Sequence, residues 1–325
     1  MSNPLEALRQ PISSELAEYS QLFDETVRSR DLTVDNALAH VRGRKGKMMR
    51  PILVLLTAKA TGQVTRATHL AATSLELLHT ASRVHDDVVD ESGERRGQKS
   101  VNAMFDNKIA VLLGDYLLSQ CLLCSAQTQD LRIVEHISRL GGELSEGEIH
   151  QLANTEREEI NEEDYYRVID HKTAALFRAC TLLGCYSAGA SEEWTKRMKS
   201  FGETVGLCFQ IRDDIFDYYD DSEIGKPVGN DMKEGKLTLP VIHALLSTGD
   251  EAMRQLALKV RALQATPEEI AELVGFTKRN GGIAYAEQTM ARLVGEARAL
   301  LAPLPDASLR QALEQYLDFV VARRN

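Results

Sequence analysis

Apolar positions recur at three- and four-residue spacing along almost the whole chain, as in "LEALRQPISSELAEYSQLFDETV", "PILVLLTAKA", "HLAATSLELLHTASRVHDDVVDE" and "LRQALEQYLDFVVARR". That period lines one face of an α-helix. No alternating β-branched run occurs, and no Asn-Gly pair joins two such runs, so strands are not predicted. Pro4, Pro51, Pro227, Pro240, Pro267 and Pro303 stand where helices would open or loops would turn. No Ser/Gly/Pro linker, low-complexity tract or solenoid-length repeat interrupts the pattern. The expectation is an all-α fold, one large domain over residues 1–325 built from about ten or more helices.

The longest apolar stretch, "IAVLLGDYLLSQCLLCSA" (Ile109 to Ala126), approaches the length of a membrane span. Gly114, Asp115 and Gln120 break it, which favours a buried core helix and no stable membrane insertion. The opening "MSNPLEALRQPISSELAEYS" has neither the apolar run of a signal peptide nor the Arg-rich, acid-poor character of a transit sequence. With 325 residues, 43% of them hydrophobic, the chain can bury a sizeable core. Lys and Arg number 38 against 48 Asp and Glu, a net charge of −10 that argues against binding to nucleic acid or anionic membranes. A polyanionic ligand would have to be met by local cations or by metal ions. Five scattered cysteines do not make a disulfide framework, and the Cys121-x-x-Cys124 pair lacks a second pair or a flanking His for zinc. Packed thiols in a reducing cytoplasm are expected.

One pattern recurs. "HDDVVD" (His85 to Asp90) returns in form as "RDDIFD" (Arg212 to Asp217). Helix positions i and i+4 share a face, so Asp86 projects with Asp90 and Asp213 with Asp217, and each pair repels itself unless a cation compensates. A solvated acidic face is the plain alternative for one copy; two copies set in apolar sequence favour cation binding. Oxygen-only clusters suit hard cations, and magnesium takes one or two carboxylates together with water and phosphate. The expectation is a diphosphate clamped between two carboxylate banks through Mg²⁺. Cations that could assist are Lys45, Lys47 and Arg50 in "GRKGKMMRP", before a helix start that itself favours anions, Arg95 and Arg96 in "ERRG", Lys172 in "DHKTA", and the lysines of "EIGKPVGNDMKEGK".

Taken together, "GKMMRP", "HTASRVHDDVVDESGERRG", "GDYLLS", "HKTAALF" and "FQIRDDIFDYYDDSEIGKPVGNDMKEGKLTLPVI" resemble the trans-isoprenyl diphosphate (polyprenyl) synthases in order and spacing, from about Gly46 to Ile242. The resemblance implies an all-helical bundle around a deep central cavity, usually homodimeric. It implies condensation of isopentenyl diphosphate with an allylic diphosphate, with about three Mg²⁺ per active site. On this resemblance Asp86 and Asp90 match metal ligands with Asp87 as helper, as do Asp213, Asp214 and Asp217 of the second motif. Lys47, Arg50, His79 and Arg96 match the positions that hold isopentenyl diphosphate. Arg95, Lys172, Thr173, Gln210, Lys226 and Lys236 match the allylic side, and Asp86, Asp90, Lys172 and Asp213 are the residues expected to carry the chemistry. Asp115 reads as structural.

The chain departs from the family in two places. One glycine and one basic residue are missing from the run Lys45-Gly46-Lys47-Met48-Met49-Arg50-Pro51, and Arg83 stands where the family commonly has an apolar residue. At about 100° per residue, His79, Arg83, Asp86 and Asp90 fall within roughly 60° of one another, so Arg83 points to the charged face, either to pair with Asp86 or Asp87 or to meet isopentenyl diphosphate. In this family a bulky aromatic four or five residues before the first Asp shortens the product. Small Ala81 and Ser82 occupy those positions here and predict an all-trans chain of about C30 to C50, octaprenyl as the central expectation, grown from farnesyl or geranylgeranyl diphosphate. The alternatives are a C15 or C20 synthase, a non-catalytic binding subunit and a class I terpene cyclase; the six intact aspartates and the Lys47, Arg50, His79 set speak against the last two.

Overall fold

The computed structural model of the chain describes residues 4–43, 46–95, 98–153, 159–219 and 228–322. The all-α expectation is met, with helices forming nearly all regular structure from Pro4–Arg9 through Ala307–Ala322. Among the described residues one element departs from it: Glu94–Arg95 and Gln98–Lys99 pair as two short antiparallel strands. Strands of two residues are too short to carry the alternation by which a sequence announces a strand. Prolines sit where expected, at the first turns of the Met49–Thr61, Leu239–Thr248 and Pro267–Arg279 helices. Pro227 lies outside the described residues.

The helices group into two compact units. The first comprises Met1–Gly142, Phe177–Gly202 and Leu301–Tyr316, the second Glu143–Leu176, Glu203–Leu300 and Leu317–Asn325.

At the centre of the first unit is the Met49–Thr61 helix, whose residues from Pro51 to Ala58 are all buried. A helix covered on every side needs the unbroken apolar run "PILVLL" that the sequence supplies. Beside it runs Arg66–Val89, opened by a reciprocal capping box between Thr65 and Thr68. Arg66–Val89 lies along the Asn107–Gln127 helix at very close range: a Cβ on Gly114 would come within 2.2 Å of His85 Nε2. The Asn107–Gln127 helix buries Leu113, Leu117, Cys121 and Cys124. Its other side leaves Leu112 64% and Leu122 55% exposed, with Val111 and Leu123 beside them. The expected buried core helix is thus buried along one face and open along the other. By length and composition this helix could also cross a membrane.

In the second unit Ile211, Ile215, Tyr218, Leu239, Ile242, Val260, Leu273 and Met290 belong to one apolar core. Thr266 and Glu269 form a capping box with Pro267 at the first helical position, three local signals that agree on one start. The five cysteines are unpaired and buried. Burial pushes the thiols of Cys121 and Cys208 up to about 12, as packed thiols require.

Candidate active site

The first acidic motif ends a helix. Arg66–Val89 carries His79, Arg83 and Asp86, all half-buried, and Asp90 is its exposed C-cap. Asp87 faces inward at 3% exposure. The face shared by His79, Arg83 and Asp86 is thus real up to the last turn. His85 fixes that turn: its Nε2 lies 3.2 Å from the Val111 carbonyl and 3.4 Å from Asp115 Oδ1, in the space left by Gly114. This is the structural part that "GDYLL" plays. Beyond the motif the chain folds back onto it, since the Asp87 carbonyl accepts from the Ser92 N–H (2.9 Å) and from Asn102 Nδ2 (3.0 Å). The Ser100 hydroxyl donates to the Ser92 carbonyl at 2.6 Å. The Arg95 side chain and all of Arg96 lie outside the described residues, as do Lys45 and Lys226.

The basic stretch opens the Met49–Thr61 helix. Met48 precedes it in the left-handed region (φ 57°, ψ 34°), which bends the chain sharply into the helix start. Arg9 donates to the Lys47 carbonyl (3.1 Å), and the hydroxyl of buried Tyr316 donates to that of Met49 (3.0 Å). Lys47 itself is exposed. Arg50 makes a bidentate pair with Glu76, Nε to Oε2 at 2.9 Å and a second nitrogen to Oε1 at 3.1 Å. The sequence reading named Arg50 and missed Glu76. An acidic residue ten positions before the first Asp, on the same helix and three before His79, was the available signal.

In the second unit the architecture begins with a glycine. A Cβ on Gly206 would fall 2.5 Å from the Ala174 Cα, so only glycine lets the Glu192–Phe216 helix approach this closely. Gln210 and Asp214 follow at four-residue steps on the same face. Opposite them Asp170–Ala174, the "DHKTA" segment, forms a single widened π-type turn between Glu162–Ile169 and Ala175–Ala188. The Thr173 hydroxyl donates to Gln210 Oε1 (2.8 Å), Gln210 Nε2 donates to Asp214 Oδ1 (2.9 Å), and the Tyr165 hydroxyl donates to Asp214 Oδ2 (2.5 Å). Thr173 and Gln210, which the resemblance assigned to one substrate, are thereby brought together. Lys172 pairs with Glu148 at 2.7 Å, a second carboxylate the sequence reading passed over.

The three aspartates of the second motif have three environments. Asp213 is half-buried. Asp214 is 2% exposed, and burial pushes its carboxyl up to about 7 despite the bonds from Tyr165 and Gln210. Asp217 accepts the backbone N–H groups of Asn230 (2.9 Å) and Asp231 (3.1 Å), while its own carbonyl takes the Gly229 N–H. It therefore caps the short Asn230–Lys233 helix from outside. Asp231, unremarked in the sequence reading, is pushed up to about 6 by burial and by Asp217. Lys236 is tied to the same segment, its N–H to the Asp231 carbonyl and its ammonium to Glu234. Asp87 and Asp214 have almost no surface, so Asp86, Asp90, Asp213 and Asp217 are the motif carboxylates that retain some. Ala81 has none either, whereas Ser82 keeps a part of its own.

Residues 32–276 match the Polyprenyl synthetase family. The chain belongs to that family. It is accordingly a prenyltransferase, and the relatives agree along nearly its whole length. It is 35% identical over 306 residues to the all-trans-nonaprenyl-diphosphate synthase (geranyl-diphosphate specific) of Rhodobacter capsulatus, covering 93% of each chain. It is 33% identical to the octaprenyl diphosphate synthase of Escherichia coli, covering 95% of this chain and 96% of the other. Among solved structures, a geranylgeranyl pyrophosphate synthase from Bacteroides thetaiotaomicron superposes with a TM-score of 0.86 at 48% identity, covering 98% and 99% of the two chains.

Proposed function

We propose that this member of the polyprenyl synthetase family condenses isopentenyl diphosphate with an allylic diphosphate to make a long all-trans chain of about C30 to C50. The observation that carries the prenyl-transfer part is the pairing of two D-D-x-x-D motifs with a built Thr173–Gln210–Asp214 network at the position where the family resemblance puts the allylic substrate. The donor chemistry fits Mg²⁺: Asp86 and Asp90 in the first motif and Asp213 in the second offer only oxygen, which suits a hard cation that also takes phosphate and water. Bound there, Mg²⁺ would neutralise the departing diphosphate. Lys47, Arg50 and His79 would bind isopentenyl diphosphate, Arg50 by exchanging one or both bonds to Glu76 for phosphate oxygens. Lys172 would do the same from Glu148. Exclusion of water from the allylic cation and placement of the isopentenyl double bond against its C1 are the remaining tasks.

Small Ser82 and the long-chain names of the curated relatives support the long product. A second reading, a C20 product, is favoured by Ala81, which has no surface to offer a growing chain, and by the 48% identity to a protein named for geranylgeranyl diphosphate. Incubating the protein with Mg²⁺, labelled isopentenyl diphosphate and geranyl, farnesyl or geranylgeranyl diphosphate, then sizing the products, decides between them. A C20 endpoint removes the long-chain reading, and no product from any starter removes prenyl transfer itself. Ser82→Phe should shorten a long product and leave a C20 product unchanged. The exposed apolar stripe of Val111, Leu112, Leu122 and Leu123 supports a homodimer with this face covered by a second copy. Five unpaired, buried cysteines support a reducing, cytoplasmic location, which we also propose.

A further inference from the structure

The segment "NEEDYYRVIDHKT" contains a tyrosine that belongs to neither the acidic motifs nor the phosphate-binding set. Tyr165 lies on the Glu162–Ile169 helix, whose start is fixed by the Asn161 side chain accepting from the Asp164 N–H at 2.7 Å. Its ring is 7% exposed and meets Tyr166 edge-on at 5.3 Å between centroids. Its hydroxyl donates to Asp214 Oδ2 at 2.5 Å, while the other Asp214 oxygen takes Gln210 Nε2.

The chain of bonds has a direction. Asp214 Oδ2 takes the Tyr165 hydroxyl and Oδ1 takes the Gln210 NH₂, which leaves the amide oxygen toward Thr173. The Thr173 hydroxyl, which the family resemblance assigns to the allylic diphosphate, is thereby held in place by Gln210. Without Tyr165 the Asp214 carboxyl could rotate about its own bond, and Gln210 and Thr173 would lose the fixed positions they take from it.

We propose that Tyr165 is the positioning residue of the allylic half-site, fixing through Asp214 and Gln210 where the Thr173 hydroxyl sits. It touches no substrate. Removing its hydroxyl should therefore alter turnover and allylic binding while isopentenyl diphosphate binding stays as it was. A purely structural tie between two helices would instead loosen both substrates together with the fold.

Tyr165→Phe keeps the ring, and Tyr166→Phe makes the same chemical change one residue away. Three quantities are read for each variant: kcat with the two KM values, calorimetric binding of a non-reactive allylic thiolodiphosphate in the presence of Mg²⁺, and the thermal midpoint. The expected result for Tyr165→Phe is a kcat lower by about 10- to 100-fold and weaker analogue binding, as when outer partners of a site are removed. The KM for isopentenyl diphosphate should stay within about twofold and Tyr166→Phe should match the wild type. A Tyr165→Phe enzyme with wild-type kcat and analogue affinity overturns the proposal, and so does a loss shared equally by both substrates or by both variants. The inference rests on the prenyl-transfer reading. A wild-type protein that joins no isopentenyl unit ends both, whereas an active wild type beside an unaffected Tyr165→Phe ends this one alone.

Discussion

The two D-D-x-x-D motifs read almost alike and are built differently. The first occupies the last turn of Arg66–Val89, and the loop behind it is held through the backbone carbonyl of Asp87, which takes Ser92 and Asn102. The second is held through its side chains as well as its backbone, with Asp214 bonded to Tyr165 and Gln210 and Asp217 bonded to the start of another helix. Each has a glycine that lets a neighbour come close, but Gly114 makes room for the tip of a histidine ring and Gly206 for the backbone of Ala174. A repeated motif therefore guarantees only repeated chemistry at the positions with surface. The scaffolding that aims those positions is separate in each copy and is encoded by residues outside the motif.

The largest effect should show where the copies are equivalent. Asp86→Asn and Asp213→Asn should each lower turnover by about 10²- to 10⁴-fold, the loss of several kcal/mol of leaving-group stabilisation, with thermal midpoints near wild type. Loss from only one of them in steady-state assays would show that the copies differ in chemistry as well as in scaffold. The glycines should break the equivalence. Gly206→Ala must push apart two backbones and is expected to cost about 1–3 kcal/mol in chemical denaturation. Gly114→Ala should cost less, because the imidazole of His85 can swing aside, losing its approach to Val111 and Asp115. Equal costs would sink that distinction. A smaller change again is expected from Asp217→Ala, about 1 kcal/mol for a lost helix cap, detectable as faster amide exchange at Asn230 and Asp231.

Acid offers a handle on the first unit. His136, close to Arg178, Lys199 and Arg139, is lowered from 6.5 to about 4, by burial first and by those cations second, with Glu135 opposing. Its Nε2 is buried without a hydrogen-bond partner. A histidine held neutral in the fold but free to charge when unfolded contributes stability above pH 6.5, and that contribution drains away as pH falls toward 4. His136→Gln should flatten the pH dependence of stability across that window. An unchanged slope between wild type and variant would show that the histidine titrates normally.

The helical fold was legible because its signals repeat: a 3.6-residue apolar period in almost every segment, prolines at first turns, and caps such as Thr266 with Glu269. The motif residues were legible from resemblance, and the geometry brings Thr173, Gln210 and Asp214 together. Their partners were not legible. Glu76, Glu148, Tyr165 and Asp231 lie fourteen to forty-nine residues from the groups they meet, and a carboxylate or tyrosine on an amphipathic helix carries no mark of what it will touch. The Asn107–Gln127 helix misled in the other direction. Apart from Asp115 and Gln120, apolar residues fall all around it, so the sequence could not tell a covered face from an open one.

The buried thiols turn the protein into its own stopwatch. Only a thiolate alkylates, and Cys121 and Cys208 are both far from ionising while they stay packed. Cys121, Cys124, Cys180 and Cys185 belong to the first unit and Cys208 alone to the second. Timed exposure to a maleimide, read peptide by peptide in a mass spectrometer, would thus give each unit its own opening rate, without a probe being introduced anywhere in the chain.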